Sequence, residues 1–212
     1  MKIAIIGATG RQGSLLLREA LQRGHQVTAI VRDKTKLDPE NVQVIEKGIL
    51  DLSYQDLKDF DVVINAFGTR SKNTPVLHQT TLKHLADNLS GHDAPRLLVV
   101  GGAGSLYVDP ELKVRVMDTP DFPDAYKPTA TNMGAAFDAL KVRNDVNWTY
   151  LSPSANFVAD GIRTGKYRIG KDELLVNQAG QSEISYADYA IAMIDEAENA
   201  KHVKSRFTVV SE

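Results

Sequence analysis

The sequence predicts a three-layer α/β fold with a mostly parallel sheet. Three observations lead there. Strand-like apolar runs alternate with helically periodic segments along the 212 residues. One run, DVVINAF at 61–67, is almost continuously apolar, as in a strand covered on both faces. The chain also opens on a strand, a glycine turn and an amphipathic helix in immediate succession. Right-handed crossovers then give an expected strand order of 3-2-1-4-5-6-7. A single domain over 1–212 is expected, in which residues 153–212 form a small C-terminal portion over the cleft.

The first strand is KIAII. It runs into Gly7-x-x-Gly10-x-x-Gly13, and Leu16, Leu17, Ala20 and Leu21 then recur at helical spacing. The first turn of a helix carries N–H groups with no intrahelical partner, at the positive end of its dipole. Glycines at that turn let an anion approach the backbone and permit a sharp bend. Thr9, Arg11 and Gln12 share the turn, which makes residues 7 and 9–13 the candidate pyrophosphate contacts. Gly24 is a natural helix stop, and Gln26–Val31 is the second strand. It ends in Arg32 and Asp33. In dinucleotide-binding folds the residue after this strand meets the adenosine ribose: an arginine accommodates a 2′-phosphate, and an acid bonds a free 2′-hydroxyl. Arg32 comes first and favours NADP; a shift of one residue would favour NAD through Asp33.

Asp38 and Pro39 mark a turn before the third strand at 42–46. Read from the residues alone, Asp51 is a candidate cap for a short helix at 53–58. The fourth strand at 61–67 ends in Asn65, Ala66, Phe67 and Gly68, at the carboxyl edge where open α/β sheets bind ligands. After a polar stretch at 69–74, residues 75–89 read as a helix with Leu77, Thr81, Leu85 and Leu89 on one face. His78, His84 and His92 make no i, i+4 ligand pair and read as surface histidines, so no metal is expected. The fifth strand, Arg96–Val100, runs into Gly101, Gly102, Ala103, Gly104 and Ser105. Residues 106–123 form a long proline-bearing loop, a candidate lid. A helix follows within 126–144, with Pro128 at its start. The sixth strand at 147–151 carries Trp148, read as core, and leads into Pro153 and Phe157. Short β-like pieces at 167–169 and 174–176, a helix from 184 to 198 and a last strand at 206–210 complete the chain.

Composition excludes several classes. The net charge of −2 leaves no footprint for nucleic acid or an anionic membrane. No run approaches a membrane span, and the first strand leaves no room for a leader, so a cytoplasmic location is the default expectation. With no cysteine, the chain has no disulfide, thiolate nucleophile or cysteine-bound zinc.

The glycine spacing differs from G-x-G-x-x-G, because Ala8 stands where that pattern has its first glycine. It resembles the short-chain dehydrogenase/reductase superfamily in its extended and atypical branches. The segments IIGATGRQG, AIVRD, LLVVGGAGSL, TYLSPSANF, RTGKYRIGKDELL and ISYADYAIAMIDE extend the likeness over nearly the whole chain. They resemble the atypical members grouped as NAD(P)H-binding proteins or NADH–flavin reductases. More distantly they resemble flavin reductases of the biliverdin-IXβ reductase type. The resemblance implies a three-layer NAD(P)-binding Rossmann fold. It implies that Asp51 and Leu52 border the adenine, that Ala66, Phe67 and Gly68 stand in for an Asn-Ala-Gly element, and that Pro153 and Phe157 border the nicotinamide.

The superfamily's Tyr-x-x-x-Lys dyad is missing. Position 130, four after Tyr126, is alanine, and Lys127 adjoins the tyrosine, so the two cannot share a helix face. Reduction of a carbonyl to an alcohol needs an acid or an oxyanion site. A flavin or quinone gives a delocalised anion that solvent can protonate. The expected activity is therefore hydride transfer from NADPH to a flavin or quinone, the flavin being a substrate and not a prosthetic group. Ser105 and Tyr126 are candidate acceptor contacts, and Phe67 and Phe157 are candidate walls or core residues. Two alternatives are an NADP-binding redox sensor without turnover and a carbonyl reductase using Tyr126. Oligomeric state is not legible.

Overall fold

The computed structural model describes residues 1–37, 42–69 and 74–212. The turn expected at Asp38 and Pro39 and the middle of the 69–74 stretch lie outside them. Ten strands and five α-helices follow in order: β1 (Lys2–Ile6), α1 (Arg11–Gln22), β2 (Gln26–Val31), β3 (Gln43–Glu46), α2 (Tyr54–Leu57), β4 (Val62–Asn65), α3 (Leu77–Asn88), β5 (Arg96–Val100), α4 (Lys127–Lys141), β6 (Trp148–Ser152), β7 (Asn156–Val158), β8 (Tyr167–Gly170), β9 (Glu183–Ser185), α5 (Tyr186–Asn199) and β10 (Ser205–Ser211). The main sheet has the order β3-β2-β1-β4-β5-β6-β10-β8. This is the expected order with β10 as the seventh strand, plus an eighth, β8, antiparallel to β10 (Val209 opposite Ile169). A second sheet pairs β7 with β9 in parallel.

Alternating side chains explain the unbroken apolar strands. Ile3 and Ile5 of β1 face a core with Leu16, Leu17, Tyr189 and Met193 of α1 and α5. Ala4 and Ile6 face the opposite core, with Leu85, Phe137 and Tyr150. Side chains alternate across a strand, so a sheet covered on both faces needs apolar residues at every position. Trp148 is buried with Phe137 against it, as expected for core.

Several boundaries moved for identifiable reasons. The expected helix at 184 begins as β9, and only then does Ser185 cap α5, its Oγ accepting the Asp188 N–H at 3.0 Å. The expected piece at 174–176 is not a strand; Leu174 instead donates its N–H to the Tyr107 carbonyl at 2.8 Å. That contact ties down the 106–123 loop, as do the buried Leu106 and the paired bonds from Arg115 to Asp138 of α4 (2.9 and 2.7 Å).

The buried Arg206 of β10 fastens the β5–α4 loop. One guanidinium nitrogen donates to both the carbonyl and the Oγ of Ser105, each at 3.0 Å. The guanidinium lies 4.5 Å over the Phe137 ring, and its outer edge pairs with Asp172 at 2.6 Å. Arg206→Leu would leave the Ser105 carbonyl and hydroxyl without this donor, and should lower the unfolding free energy by about 2–3 kcal/mol in urea titrations. Asp172→Asn at the exposed end should cost less than about 1 kcal/mol.

Candidate functional site

The carboxyl ends of β1, β4, β5 and β6 meet at one edge of the sheet, and the loops leaving them build the site. The glycine turn after β1 is its tightest part. Gly7 has φ +77°, where side chains are strained, and a Cβ there would lie 2.8 Å from the Ala66 carbonyl oxygen. A Cβ at Gly13 would lie only 2.1 Å from the Gly7 carbonyl oxygen. The turn is therefore clenched between the end of β4 and the first turn of α1. Gly7 also donates to the Ile30 carbonyl and Ala66 to that of Ile6, both at 3.0 Å, which lock the turn to the strands on either side.

At the amino end of α1, Gly10 is the N-cap without a side-chain bond, and no acidic residue stands in the first turn. Thr9, Gly10 and Arg11 are exposed, and Gln12 is buried. The Gln12 amide donates to the Tyr186 carbonyl at 3.1 Å, while its Oε1 has no partner among the described residues. A bare helix terminus with no competing carboxylate suits a pyrophosphate. The residues present thus fit a dinucleotide.

Arg32 is exposed just past β2. Asp33 is engaged elsewhere: it accepts from the Thr35 hydroxyl at 2.6 Å and the Thr35 N–H at 3.1 Å, and pairs with Lys36 at 3.1 Å. The Thr35 hydroxyl first, then Lys36, hold its carboxyl below the usual carboxylate range. Asp51 lies exposed at the end of a short turn and folds over Gly48, its Oδ2 2.6 Å from where a Cβ there would stand. It does not cap α2; Ser53 is the N-cap, in a capping box in which the Asp56 carboxylate accepts the Ser53 N–H at 2.8 Å. Leu52 is buried, and its carbonyl lies 2.8 Å from His84 Nε2. Ala66 and Phe67 are half-buried, Gly68 is exposed, and the Phe67 N–H bonds Asn65 Oδ1 at 3.0 Å. Pro153 is buried, and Phe157 packs on Tyr186 and Tyr189, with ring centroids 3.9 and 4.8 Å apart.

Gly7, Gly13 and Ala66 are thus in direct juxtaposition. Ser105 and Tyr126 are not brought together. Ser105 is buried and turned to Arg206, whereas Tyr126 is 66% exposed before α4, next to Lys127, which pairs with Asp124 at 3.7 Å. Ala130 packs on the β5–α4 loop, 2.8 Å from where a Gly104 Cβ would stand.

His78 is a correction. It is not a surface histidine but 9% exposed, on the buried side of α3 with Thr81, Leu82 and Leu85. Thr81, Leu85 and Leu89 of the expected face are buried, but Leu77 is only half-buried and His78 is covered in its place. The stripe 78, 82, 85 and 89 was available in the sequence, but its first member is polar. His78 meets the Phe67 ring edge-on at 5.5 Å and lines a small cavity with Asn65, Phe67, Val99, Met133 and Tyr150. Burial pushes the His78 imidazole pKa down and the Tyr150 phenol up to about 12, so both are neutral near pH 7. The Tyr150 hydroxyl accepts the Gly102 N–H at 3.3 Å. Among the described residues no group of three or more His, Asp or Glu could hold a metal, and no helix is long and apolar enough to cross a membrane.

Comparison with known proteins adds a family. A family model described as NAD(P)H-binding matches residues 7–199. The uncharacterised protein YwnB of Bacillus subtilis is 50% identical over 212 residues, covering 100% of this chain and 99% of its own. The crystal structure of SP1627 from Streptococcus pneumoniae, provisionally named an NADH-flavin reductase, is 41% identical with a TM-score of 0.95, covering 100% of both chains. A Bacteroides thetaiotaomicron protein, provisionally named an epimerase, is 39% identical with a TM-score of 0.86, over 99% of this chain and 96% of its own.

Gly13→Ala should push α1 off the turn, costing about 2–3 kcal/mol of stability and weakening NADPH binding, followed by nucleotide fluorescence, at least about tenfold. His78 yields a pH prediction. Its folded pKa lies below the ordinary 6.5, so the unfolded chain takes up its proton first. Stability is fully present above pH 6.5 and falls below it, by at most about 1.4 kcal/mol per pH unit. In urea titrations His78→Gln should lose less stability between neutral and mildly acid pH than the wild type.

Proposed function

This chain belongs to the NAD(P)H-binding family of Rossmann-fold oxidoreductases, and from that premise we propose that it is an NADPH-dependent reductase of flavins or quinones. What supports this acceptor class is the α4 start. Where a Tyr-x-x-x-Lys pair would place its lysine, Ala130 packs on the glycine loop, and the tyrosine ring stands in solvent. An acceptor whose reduced form spreads its charge over a ring system needs no dedicated protein acid. Bound at this site, the reduced nicotinamide supplies a hydride, two electrons with one proton. The second proton comes from solvent, so NADPH, H⁺ and acceptor become NADP⁺ and the reduced acceptor.

The chain's own residues position the reactants. The free amides at the start of α1, with Thr9, Arg11 and Gln12 around them, hold the pyrophosphate, and Gly7, Gly10 and Gly13 leave the room. Arg32 takes the 2′-phosphate, because Asp33 is occupied by Thr35 and Lys36. Asp51 and Leu52 border the adenine. Ala66, Phe67, Gly68, Pro153 and Phe157 would hold the nicotinamide end. Tyr126, exposed at the rim, is free to contact a bound acceptor.

Loss of NADPH absorbance on mixing the protein with FMN, riboflavin or menadione tests the reading. Turnover with these acceptors, kept in Tyr126→Phe, is expected. Tight NADPH binding without turnover on any acceptor would instead favour a redox sensor, and turnover only with aldehydes or ketones, lost in Tyr126→Phe, a carbonyl reductase. Arg32→Gln should weaken NADPH binding about tenfold, or about 1.4 kcal/mol, and leave NADH binding unchanged.

A further inference from the structure

Three buried side-chain atoms have no hydrogen-bond partner among the described residues: Gln12 Oε1, His78 Nε2 and Ser152 Oγ. All three lie toward the carboxyl edge of the sheet, in the first turn of α1, the first turn of α3 and the last residue of β6. Folded proteins rarely leave such atoms unpaired. Their gathering at the ligand-binding edge of an α/β sheet points to polar atoms of a ligand.

His78 also lines a cavity. The space is about 20 Å³, lined by Asn65, Phe67, His78, Val99, Met133 and Tyr150. That volume admits one water-sized polar atom, such as a carbonyl oxygen, and no ring. Its surroundings suit the edge of a flat apolar molecule. Phe67 is an aromatic face held edge-on to His78, and Met133 is an adaptable thioether. Gly102 makes room for that thioether, since a Cβ there would stand 3.3 Å from the Met133 sulfur.

Resting on the reductase reading above, we propose that His78 is an acceptor-binding residue, its Nε2–H donating a hydrogen bond to a carbonyl oxygen of the flavin or quinone in this cleft. The oxygen that gains charge on reduction then meets a fixed donor in a site shielded from water, where such a bond is strong. The imidazole is desolvated and neutral, and in its Nε2–H tautomer it is a hydrogen-bond donor and not an acid.

The test uses the full-length protein with isotope-labelled imidazole nitrogens, saturated with NADP⁺ so that nothing turns over. Menadione and FMN are titrated in, and the His78 signal is assigned by its absence in His78→Phe. The Nε2 signal should shift on binding. His78→Phe should weaken acceptor binding about tenfold without changing NADP⁺ affinity, and His78→Gln, which keeps an N–H donor, should recover to within about threefold. In turnover, His78→Phe should slow menadione reduction by a similar factor and spare methylene blue, a hydride acceptor with no carbonyl. A His78 signal unmoved by both acceptors overturns the assignment, as does an equal loss with menadione and methylene blue. Should His78→Phe not fold, the wild-type titration, with assignment through His78→Gln, decides alone. A shifted signal without NADPH consumption on any acceptor would instead defeat the reductase reading and keep the cleft as a carbonyl-binding site.

Discussion

The contact on which this molecule turns is between two backbones. The Gly7 carbonyl oxygen stands where any side chain at position 13 would begin, and the Ala66 carbonyl crowds Gly7 from the other side. Because those positions lack a Cβ, the end of β4, the turn after β1 and the start of α1 close to van der Waals contact. The helix terminus is thereby aimed out of the sheet with its amides bare. A larger residue would shift the helix, and with it the α5 packing that fills the core beneath.

Around this turn the fold anchors its loops with a few buried polar ties. Arg206 reaches from β10 to the Ser105 backbone and hydroxyl and stacks on Phe137 of α4. At the opposite end of the sheet, the buried Glu196 of α5 receives Arg96 at 3.2 Å and His202 at 2.7 Å. The Asp188 carboxylate accepts the N–H groups of Thr164 and Gly165 at 2.9 and 2.8 Å, fixing the segment between β7 and β8. Buried charged groups thus hold loops at both ends of the sheet from within the protein.

Family membership and reaction rest on different residues. The family is carried by the β1–α1 turn and the sheet behind it, and relatives of 39–50% identity share that frame under different names. The reductase reading we propose turns instead on the few side chains that line the cavity between α3, α4 and the sheet. There the chain sets an alanine, a methionine, two aromatic rings and an uncharged imidazole. Function is a property of such sites and not of the fold that carries them.

Sequence alone determined the order of seven of the main sheet's eight strands, the two-faced burial and the glycine turn, because these rest on local periodicity and on glycines whose role is set by their neighbours in the chain. It determined the candidacy of Arg32 as well, since that residue follows a strand at a recognisable distance from the turn. Tertiary structure decided what depends on side-chain direction. It turned Ser105 inward to Arg206, left Tyr126 in solvent, engaged Asp33 with Thr35 and added β8 beside β10. It also covered His78 rather than Leu77 at the start of α3. A polar residue at the end of an apolar stripe gives no periodic signal of its own burial, and only the packing beside Phe67 covers His78.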